Sequence, residues 1–431
     1  MEINLIRKTR QAKAIKGSIT VPGDKSISHR GLLLAAIAEG NTKIHNLSCS
    51  ADVMSTMNCL KQLNVEINTN VNFWEIAGKG RYGLKESRHL LDCGNSGTTM
   101  RLLSGILAAQ PFTSTLTGDE SLNKRPMKRI IEPLTQMGAD ITSQSGGLAP
   151  LQIHGNKLHS IYYNSPVASA QVKSCVLLAG LYAPGVTTVV EPFLSRDHTE
   201  RILTDFGINV KRNKLAVSIS GGQDLQGCEL TVPGDFSSAA FFIGAALITK
   251  DSELTIKNIC LNPTRTGLLE VLNQMGAKIE ISRHENQSSE PVGDITVFSS
   301  QLNGVEILPQ LVPKLIDEIP ILAIIATKAR GTTTLSGAKE LRVKESDRLH
   351  AIVRNLSLMD IEVEENEDGF IIAGPQKLKG ATINSYGDHR IAMAFAIAGL
   401  IAEREIQLIN ADCVEVSMPD FFETLQGISC G

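Results

Sequence analysis

Aromatic residues are scarce in this chain of 431: it holds one Trp and five Tyr. A platform that stacks unpaired bases needs more rings than that, which argues against a single-strand nucleic-acid binder. A large charge of one sign is lacking too. The formal net charge is −3, so the protein as a whole is not built for polynucleotides or acidic membranes, and any anion site must be a local cluster. The eight cysteines (Cys49, Cys59, Cys93, Cys175, Cys228, Cys260, Cys413 and Cys430) include no Cys-x-x-Cys pair. Neither a zinc site nor a disulfide framework is indicated, and reduced cytoplasmic thiols fit best. No apolar run reaches membrane-spanning length, and residues 1–16 carry no apolar core of signal-peptide length. What remains is an ordinary globular composition, 42% hydrophobic and 20% charged, long enough for two domains or more.

One stretch organises the rest: Pro-Gly-Asp-Lys-Ser-Ile-Ser-His-Arg at 22–30. It follows a β-branched run (residues 18–21) that reads as a strand and precedes a helix of small and apolar residues. Asp24 or Ser26 is the expected N-cap. Lys25, Ser26 and Arg30 then fall in the opening turns, where free backbone N–H groups and the positive helix end favour an anion. Cations there oppose the helix dipole, a conflict that a bound multivalent anion resolves. The alternative is a solvated basic helix start.

The same cassette recurs six times. A polar or Gly-rich knot opens an apolar helix at residues 24–38, 92–108, 165–180, 235–246, 317–326 and 388–399. A more amphipathic helix follows, with a recurrent ending at Leu63-Asn64, Met137-Gly138, Phe206-Gly207, Met275-Gly276 and Met359-Asp360, and a weaker sixth at Gly427. Gly, Asn or Asp there is the expected C-terminal cap. The period is about 70 residues, longer than the roughly 20–50 of solenoids. A larger repeat overlies it: Thr-Val-Pro-Gly-Asp at 20–24 returns at 231–235. Two halves of three units follow, each Pro-Gly-Asp reads as a crossover, and the N-terminal strand (residues 13–21) belongs with the C-terminal half. The first helices are apolar nearly all round, so they should be buried against sheets.

Basic residues gather at the helix openings: Lys25, Arg30, Arg101, Lys124, Arg125, Arg196, Lys344, Arg348 and Arg390, with Asp317, Glu345 and Asp388 among them. Each Arg alone reads as a surface ion pair worth at most ~1 kcal/mol, but one repeat position keeps collecting them. His29, His198 and His389 lack metal-ligand spacing and read as structural.

Eight motifs in order resemble the enolpyruvyl transferase family, and within it the 5-enolpyruvylshikimate-3-phosphate synthases. They are residues 22–30, Gly-Asn-Ser-Gly-Thr-Thr-Met-Arg at 94–101, Lys-Arg-Pro-Met at 124–127, Ser-Ala-Gln-Val-Lys-Ser at 169–174, Arg-Asp-His-Thr-Glu at 196–200, Leu-Ile-Asp-Glu-Ile-Pro at 315–320, Arg-Val-Lys-Glu-Ser-Asp-Arg-Leu at 342–349 and Gly-Asp-His-Arg at 387–390. The resemblance covers the whole chain. It implies an inside-out α/β barrel of two domains, each of three βαβαββ units: residues 22–232 as one lobe, residues 1–21 and 233–431 as the other. One departure is visible: between Cys413 and Asp420 there is no Lys or Arg, where part of the family has a basic residue.

The resemblance implies that the 5-hydroxyl of shikimate 3-phosphate adds to C2 of phosphoenolpyruvate while C3 gains a proton, and that the tetrahedral product then loses phosphate. No metal or redox cofactor is implied. By motif matching, Lys25, Ser26, Arg30, Ser169, Ala170, Gln171, Arg196, Asp317 and Lys344 go with shikimate 3-phosphate. Lys25, Gly97, Arg125, Gln171, Arg348 and Arg390 go with phosphoenolpyruvate. Asp317 takes the hydroxyl proton, while Lys25 and Glu345 serve proton delivery and the intermediate. The two substrates bring roughly −5 to −6 against seven of these cations, less Asp317 and Glu345, which implies a strongly positive empty site and closure on binding. A cytoplasmic monomer inhibited by glyphosate is also implied. Gly97 stands where some bacterial relatives have Ala, whose methyl narrows the slot. The rivals are UDP-N-acetylglucosamine enolpyruvyl transferase, which usually has a reactive Cys in the loop matching residues 118–126, where this chain has none, and a non-enzymatic anion binder on the same repeat.

Overall fold

The computed structural model describes residues 6–285 and 288–431, so the first five residues of the segment searched for a leader lie outside it. The backbone divides into two units. The N unit takes Gly23–Pro233 and residues 288–290; the C unit takes residues 6–22, Gly234–Glu285 and Pro291–Gly431. The changes of unit fall after Pro22 and after Pro233, one residue later than the sequence reading set them. The return of residues 288–290 to the N unit has no sequence signal.

Each unit is built on three central helices. In the N unit these are α1 (Lys25–Ile37), α2 (Gly97–Leu107) and α3 (Ala170–Gly180). In the C unit they are α4 (Phe236–Ile248), α5 (Ile319–Ala326) and α6 (His389–Gly399). From Ile27 onward α1 is buried throughout, and α5 and α6 are buried over their whole length. Small residues make this possible. A Cβ on Gly105 would stand 2.3 Å from the Cys175 carbonyl oxygen, so α2 and α3 touch backbone to backbone. Five of the six helices start on a side-chain cap: Asp24, Ser96, Ser169, Asp235 and Asp388 accept from N–H groups of the first turn. Of the two caps the sequence offered for α1, the structure uses Asp24, which accepts from the Ile27 N–H at 2.9 Å. The sixth helix, α5, has Pro320 in its first turn instead.

Open sheets cover these helices. Three of them take a short strand before the central helix, parallel to the strand after it, and then an antiparallel pair: Leu91–Asp92, Thr113–Thr117, Leu148–His154 and Asp140–Gln144 form one such sheet. Alternate burial along Leu148–His154 and Val292–Phe298 turns one face to the helices and leaves the other half-buried. Among the described residues the six sheets have three to five strands and none closes on itself, so the barrel of the expected fold is a set of open sheets around helices.

The crossovers exchange strands. Ala14–Thr20, which precedes α1, pairs in parallel with Glu253–Cys260 of the C unit. Glu229–Thr231, which precedes α4, pairs in parallel with Asn41–His45 of the N unit. Gly23 turns the chain close to Asn46, where a Cβ would lie 1.9 Å from the carbonyl oxygen.

The second helices end alike. Asn64, Gly138, Gly207, Gly276 and Asp360 all have left-handed φ, between 64° and 92°. In each case the N–H of the next residue reaches the carbonyl of the Leu five positions back, at 2.9–3.1 Å, the Schellman closure. The sixth ending differs from expectation. Gly427 is inside helix Phe421–Ile428, and Ser429–Cys430 runs straight into a strand against Ala14 and Ile15. The last repeat lacks its own closing pair, and Arg7–Thr9 lines its sheet instead. No helix among the described residues is long and apolar enough to cross a membrane.

Candidate active site

The N unit holds nine of the sequence-selected residues: Lys25, Ser26 and Arg30 in the opening turns of α1, Gly97 at the start of α2, Ser169, Ala170 and Gln171 at the start of α3, Arg125 just after the short helix Glu120–Asn123, and Arg196 just before helix His198–Asp205. Arg30, one turn into α1, is 4% exposed. Its Nε donates to Thr199 Oγ1 (2.6 Å), one Nη to Ser174 Oγ on α3 (2.9 Å) and the other to the Ser26 carbonyl (2.9 Å). Among the described residues no carboxylate is in contact with it. Burial, opposed by Glu200 and Asp24 and reinforced by nearby Arg196, pushes its pKa down to about 10. An incoming anion would relieve that cost. Lys25 reaches Asp52 Oδ2 at 2.8 Å, a partner on the following helix Ala51–Gln62 that the sequence reading missed. His29 bonds Thr56 through Nδ1 (2.7 Å), and burial, reinforced by Lys25 and Arg30 against the pull of Asp52, lowers its pKa to about 3, so it is neutral.

Arg125 is held by amides and hydroxyls. It donates to Asn95 Oδ1 (2.6 Å) and Ser121 Oγ (3.2 Å). Gln171, in the first turn of α3, accepts from Arg101 (2.5 Å) and donates to Thr98 Oγ1 (2.9 Å). The space a Cβ on Gly97 would enter is faced by the Arg101 guanidinium at 2.9 Å and Arg125 Nη1 at 3.7 Å. Ser169 caps α3 and Ala170 follows it, so both present backbone at that helix start. Lys124 is set apart: it is exposed and paired with Glu120 at 2.6 Å.

The C unit brings together Asp317, Glu345, Arg348 and Arg390. Arg348 is fully buried. It donates to Asp388 Oδ2 (2.7 Å), Glu345 Oε2 (2.6 Å) and Asp317 Oδ1 (3.2 Å). Burial alone would lower its pKa, but Asp388, Glu345 and Asp317 together raise it. Arg390 donates to the Asp317 carbonyl (3.2 Å) and stands 3.7 Å from Asp317 Oδ2. Lys344 makes no hydrogen bond or ion pair among the described residues. Burial lowers its pKa, against the pull of Asp317 and with the push of Arg348. Arg342 meets the plainer expectation for a helix start and pairs with Asp347 (3.0 Å) and Glu365 (2.9 Å).

The charge count changes accordingly. The sequence reading set Asp317 and Glu345 against the cations; the structure adds Asp52 against Lys25 and Asp388 against Arg348. In the N unit, Arg30 and Arg125 stand among the described residues on hydroxyl, amide and carbonyl oxygens, so an anion could bind them without displacing a carboxylate. The C unit holds three carboxylates on one guanidinium, two of them the sequence-selected Asp317 and Glu345, beside a lysine of lowered pKa, an arrangement suited to moving protons. Also missed was Arg265, buried with Asp235 and Glu318. Its signal was available: it stands ten residues before Met275, as Arg196 stands ten before Phe206.

Helices inside and open sheets outside, in two sets of three repeats, define an enolpyruvyl transferase fold. The enolpyruvyl transferase NikO from Streptomyces tendae superposes with a TM-score of 0.81 over 98% of this chain and 97% of its own, at 15% identity, a likeness of fold alone. The sequence profile of EPSP synthase (3-phosphoshikimate 1-carboxyvinyltransferase) matches residues 9–425. A 3-phosphoshikimate 1-carboxyvinyltransferase from Carboxydothermus hydrogenoformans is 52% identical over 424 residues, covering 98% of this chain and 99% of the relative. One from Bacillus cytotoxicus is 50% identical over 420 residues, covering 97% and 99%. The EPSP synthase of Acinetobacter baumannii superposes with a TM-score of 0.88 at 44% identity, covering 98% of both chains. The chain belongs to the EPSP synthase family of carboxyvinyl-transferring enzymes.

Proposed function

We propose that this enzyme joins shikimate 3-phosphate and phosphoenolpyruvate, releasing phosphate, with most of its binding donors in the N unit and its catalytic carboxylates, Asp317 and Glu345, in the C unit. Arg30, Arg196, Lys25 and Ser26, with Ser169, Ala170 and Gln171 at the start of α3, take shikimate 3-phosphate, and Lys344 contributes a further cation. Arg125, Gln171, Lys25 and the open backbone at Gly97 serve phosphoenolpyruvate in the N unit, Arg348 and Arg390 in the C unit. Arg forks suit phosphate and carboxylate because they bind both oxygens at once.

Asp317 accepts the 5-hydroxyl proton as oxygen attacks C2 of phosphoenolpyruvate. Lys25 and Glu345 share delivery of a proton to C3 and stabilisation of the tetrahedral intermediate, which then expels phosphate. The observation that carries this reading is the Asp317–Arg348–Glu345 arrangement. One buried guanidinium fixes both carboxylates, at 3.2 and 2.6 Å. A simple anion binder has no use for paired carboxylates among its cations. In this reading the enzyme is a cytoplasmic monomer and glyphosate competes with phosphoenolpyruvate.

Phosphate release tests it. Turnover is expected with shikimate 3-phosphate plus phosphoenolpyruvate and none with UDP-N-acetylglucosamine plus phosphoenolpyruvate. Release with the nucleotide sugar alone would transfer the assignment to the sister enzyme, and release with neither would leave a binder.

A further inference from the structure

Asp317 and Glu318 are consecutive but are held by different arginines. Asp317 meets Arg348 and Arg390. Glu318, 1% exposed, accepts through Oε1 from Arg265 Nη1 at 2.8 Å and from the Ser237 hydroxyl. The other Arg265 terminus donates to Ser237 Oγ (2.6 Å) and to Asp235 Oδ1 (3.1 Å), the N-cap of α4. Arg265 itself is 1% exposed. Glu318 also stands at the start of α5, where its carbonyl takes the Leu322 N–H at 3.0 Å and no side chain caps the helix.

Such a cluster is a costly way to fill a core, since apolar residues of similar size usually serve stability as well or better. The repeat supplies a further argument. Counted back from the recurrent helix ends, Arg125 stands 12 residues before Met137, Arg196 ten before Phe206, Arg265 ten before Met275 and Arg348 eleven before Met359. Three of these four equivalent arginines carry proposed substrate contacts. The fourth is turned wholly inward and grips the neighbour of the proposed base.

We propose that Arg265 and Glu318, with the Ser237 hydroxyl between them, are positioning residues: they tie the start of α5 to the start of α4 and thereby fix where Asp317 stands for proton abstraction. This rests on the reading of Asp317 as the general base. A displacement of about 1 Å at such a group costs on the order of 10² in rate.

The test measures kcat, the KM for shikimate 3-phosphate and the melting temperature of the full-length enzyme. The double variant Arg265→Met/Glu318→Met removes both charges, keeps the volume and leaves the Asp235 carboxylate on the N–H groups of Ser237 and Ser238 that it caps. Its melting temperature is expected within about 4 °C of wild type, with kcat down about 30- to 100-fold and KM within about twofold. Ser237→Ala, a milder change that keeps the ion pair, should lower kcat about three- to tenfold at unchanged KM. Asp317→Asn alone should cost about 10²–10⁴, and adding it to the double variant should cost less than it costs wild type, because the two changes act on one step. A double variant that recovers both stability and kcat overturns the positioning role, and so does a loss carried by KM. If Ser237→Ala keeps wild-type kcat while Asp317→Asn is inactive, the positioning role falls and the general base stands. If Asp317→Asn turns over normally, the general base itself falls.

Discussion

Arg30 and Arg348 are both buried guanidiniums near the start of a helix, yet their surroundings are opposite. Arg30 of the N unit is held by two hydroxyls and a carbonyl. Arg348 of the C unit is held by three carboxylates. A guanidinium whose direct partners are all neutral is paired with no carboxylate at contact, and burial lowers its pKa despite the more distant pull of Glu200 and Asp24. A guanidinium on carboxylates is already neutralised, and its raised pKa says so. The same side chain thus serves two purposes. In the N unit its direct partners are neutral, which suits the anion contact proposed for it; in the C unit it also holds carboxylates in place, beside the substrate contact proposed for it.

The largest expected difference is in stability. Arg348→Leu strands the buried carboxylate of Asp388 and should cost about 3–5 kcal/mol. Arg30→Leu should cost only about 1–2 kcal/mol, because Ser174 and Thr199 still bond each other at 2.6 Å. Denaturant unfolding of both variants breaks the comparison if the two costs are equal. Affinity should rank the other way. Arg30→Leu is expected to weaken shikimate 3-phosphate binding by about 10- to 100-fold through lost charge-assisted bonds, read by calorimetry on the free enzyme. A loss below threefold would mean Arg30 does not touch the ligand.

A third expectation concerns acid. His29 has a folded pKa of about 3 against the ordinary 6.5 of an exposed histidine. The unfolded chain therefore binds the extra proton between these values, and stability falls as pH drops through that window. The loss should reach about 2 kcal/mol by pH 5. It should vanish in His29→Asn, with unfolding midpoints at pH 7 and pH 5 as the measurement. Hydrogen exchange sharpens it: α1 should loosen on acidification before α6 does. The smallest effect is at Gly97. A methyl there meets the end of the flexible Arg101 side chain at 2.9 Å, so the neighbour gives way and the cost to glyphosate should be about 1–3 kcal/mol. The glyphosate inhibition constant of Gly97→Ala should rise about tenfold or more, with a smaller rise in the KM of phosphoenolpyruvate. Equal changes would mean that Gly97 does not set the length of the slot.

The repeats were legible because their signals are local. A cap such as Asp24 lies three residues from the N–H it serves, and the left-handed stops at Asn64 and Gly138 depend on a single turn of chain. Gly427 carried the same letters without the function, because its helix, Phe421–Ile428, runs directly into a strand that pairs with Ala14 and Ile15. The cations were legible as a recurring position. Their partners were not. Asp52 for Lys25, Thr199 and Ser174 for Arg30, and Glu318 for Arg265 lie 27, 169, 144 and 53 residues away. Each pairing depends on how one repeat packs on another, which no periodicity encodes. Whether an arginine was available to a ligand or already satisfied was therefore hidden.

The exchanged strand has a consequence for how this chain is made. Ala14–Thr20 finds its parallel neighbour only at Glu253 and its antiparallel one only at Ser429. The N unit is nearly complete once Pro233 has been added. At about 5–20 residues per second of synthesis, the early strand stays without its sheet for roughly 10–50 s while a whole unit folds downstream of it. An unpaired edge over that interval is open to pairing with another nascent chain, and Lys16 with Gly17 in its middle makes it a poor template for that. Slower translation between residues 20 and 253 lengthens that interval and is expected to lower the yield of folded chain, a dependence the finished fold no longer displays.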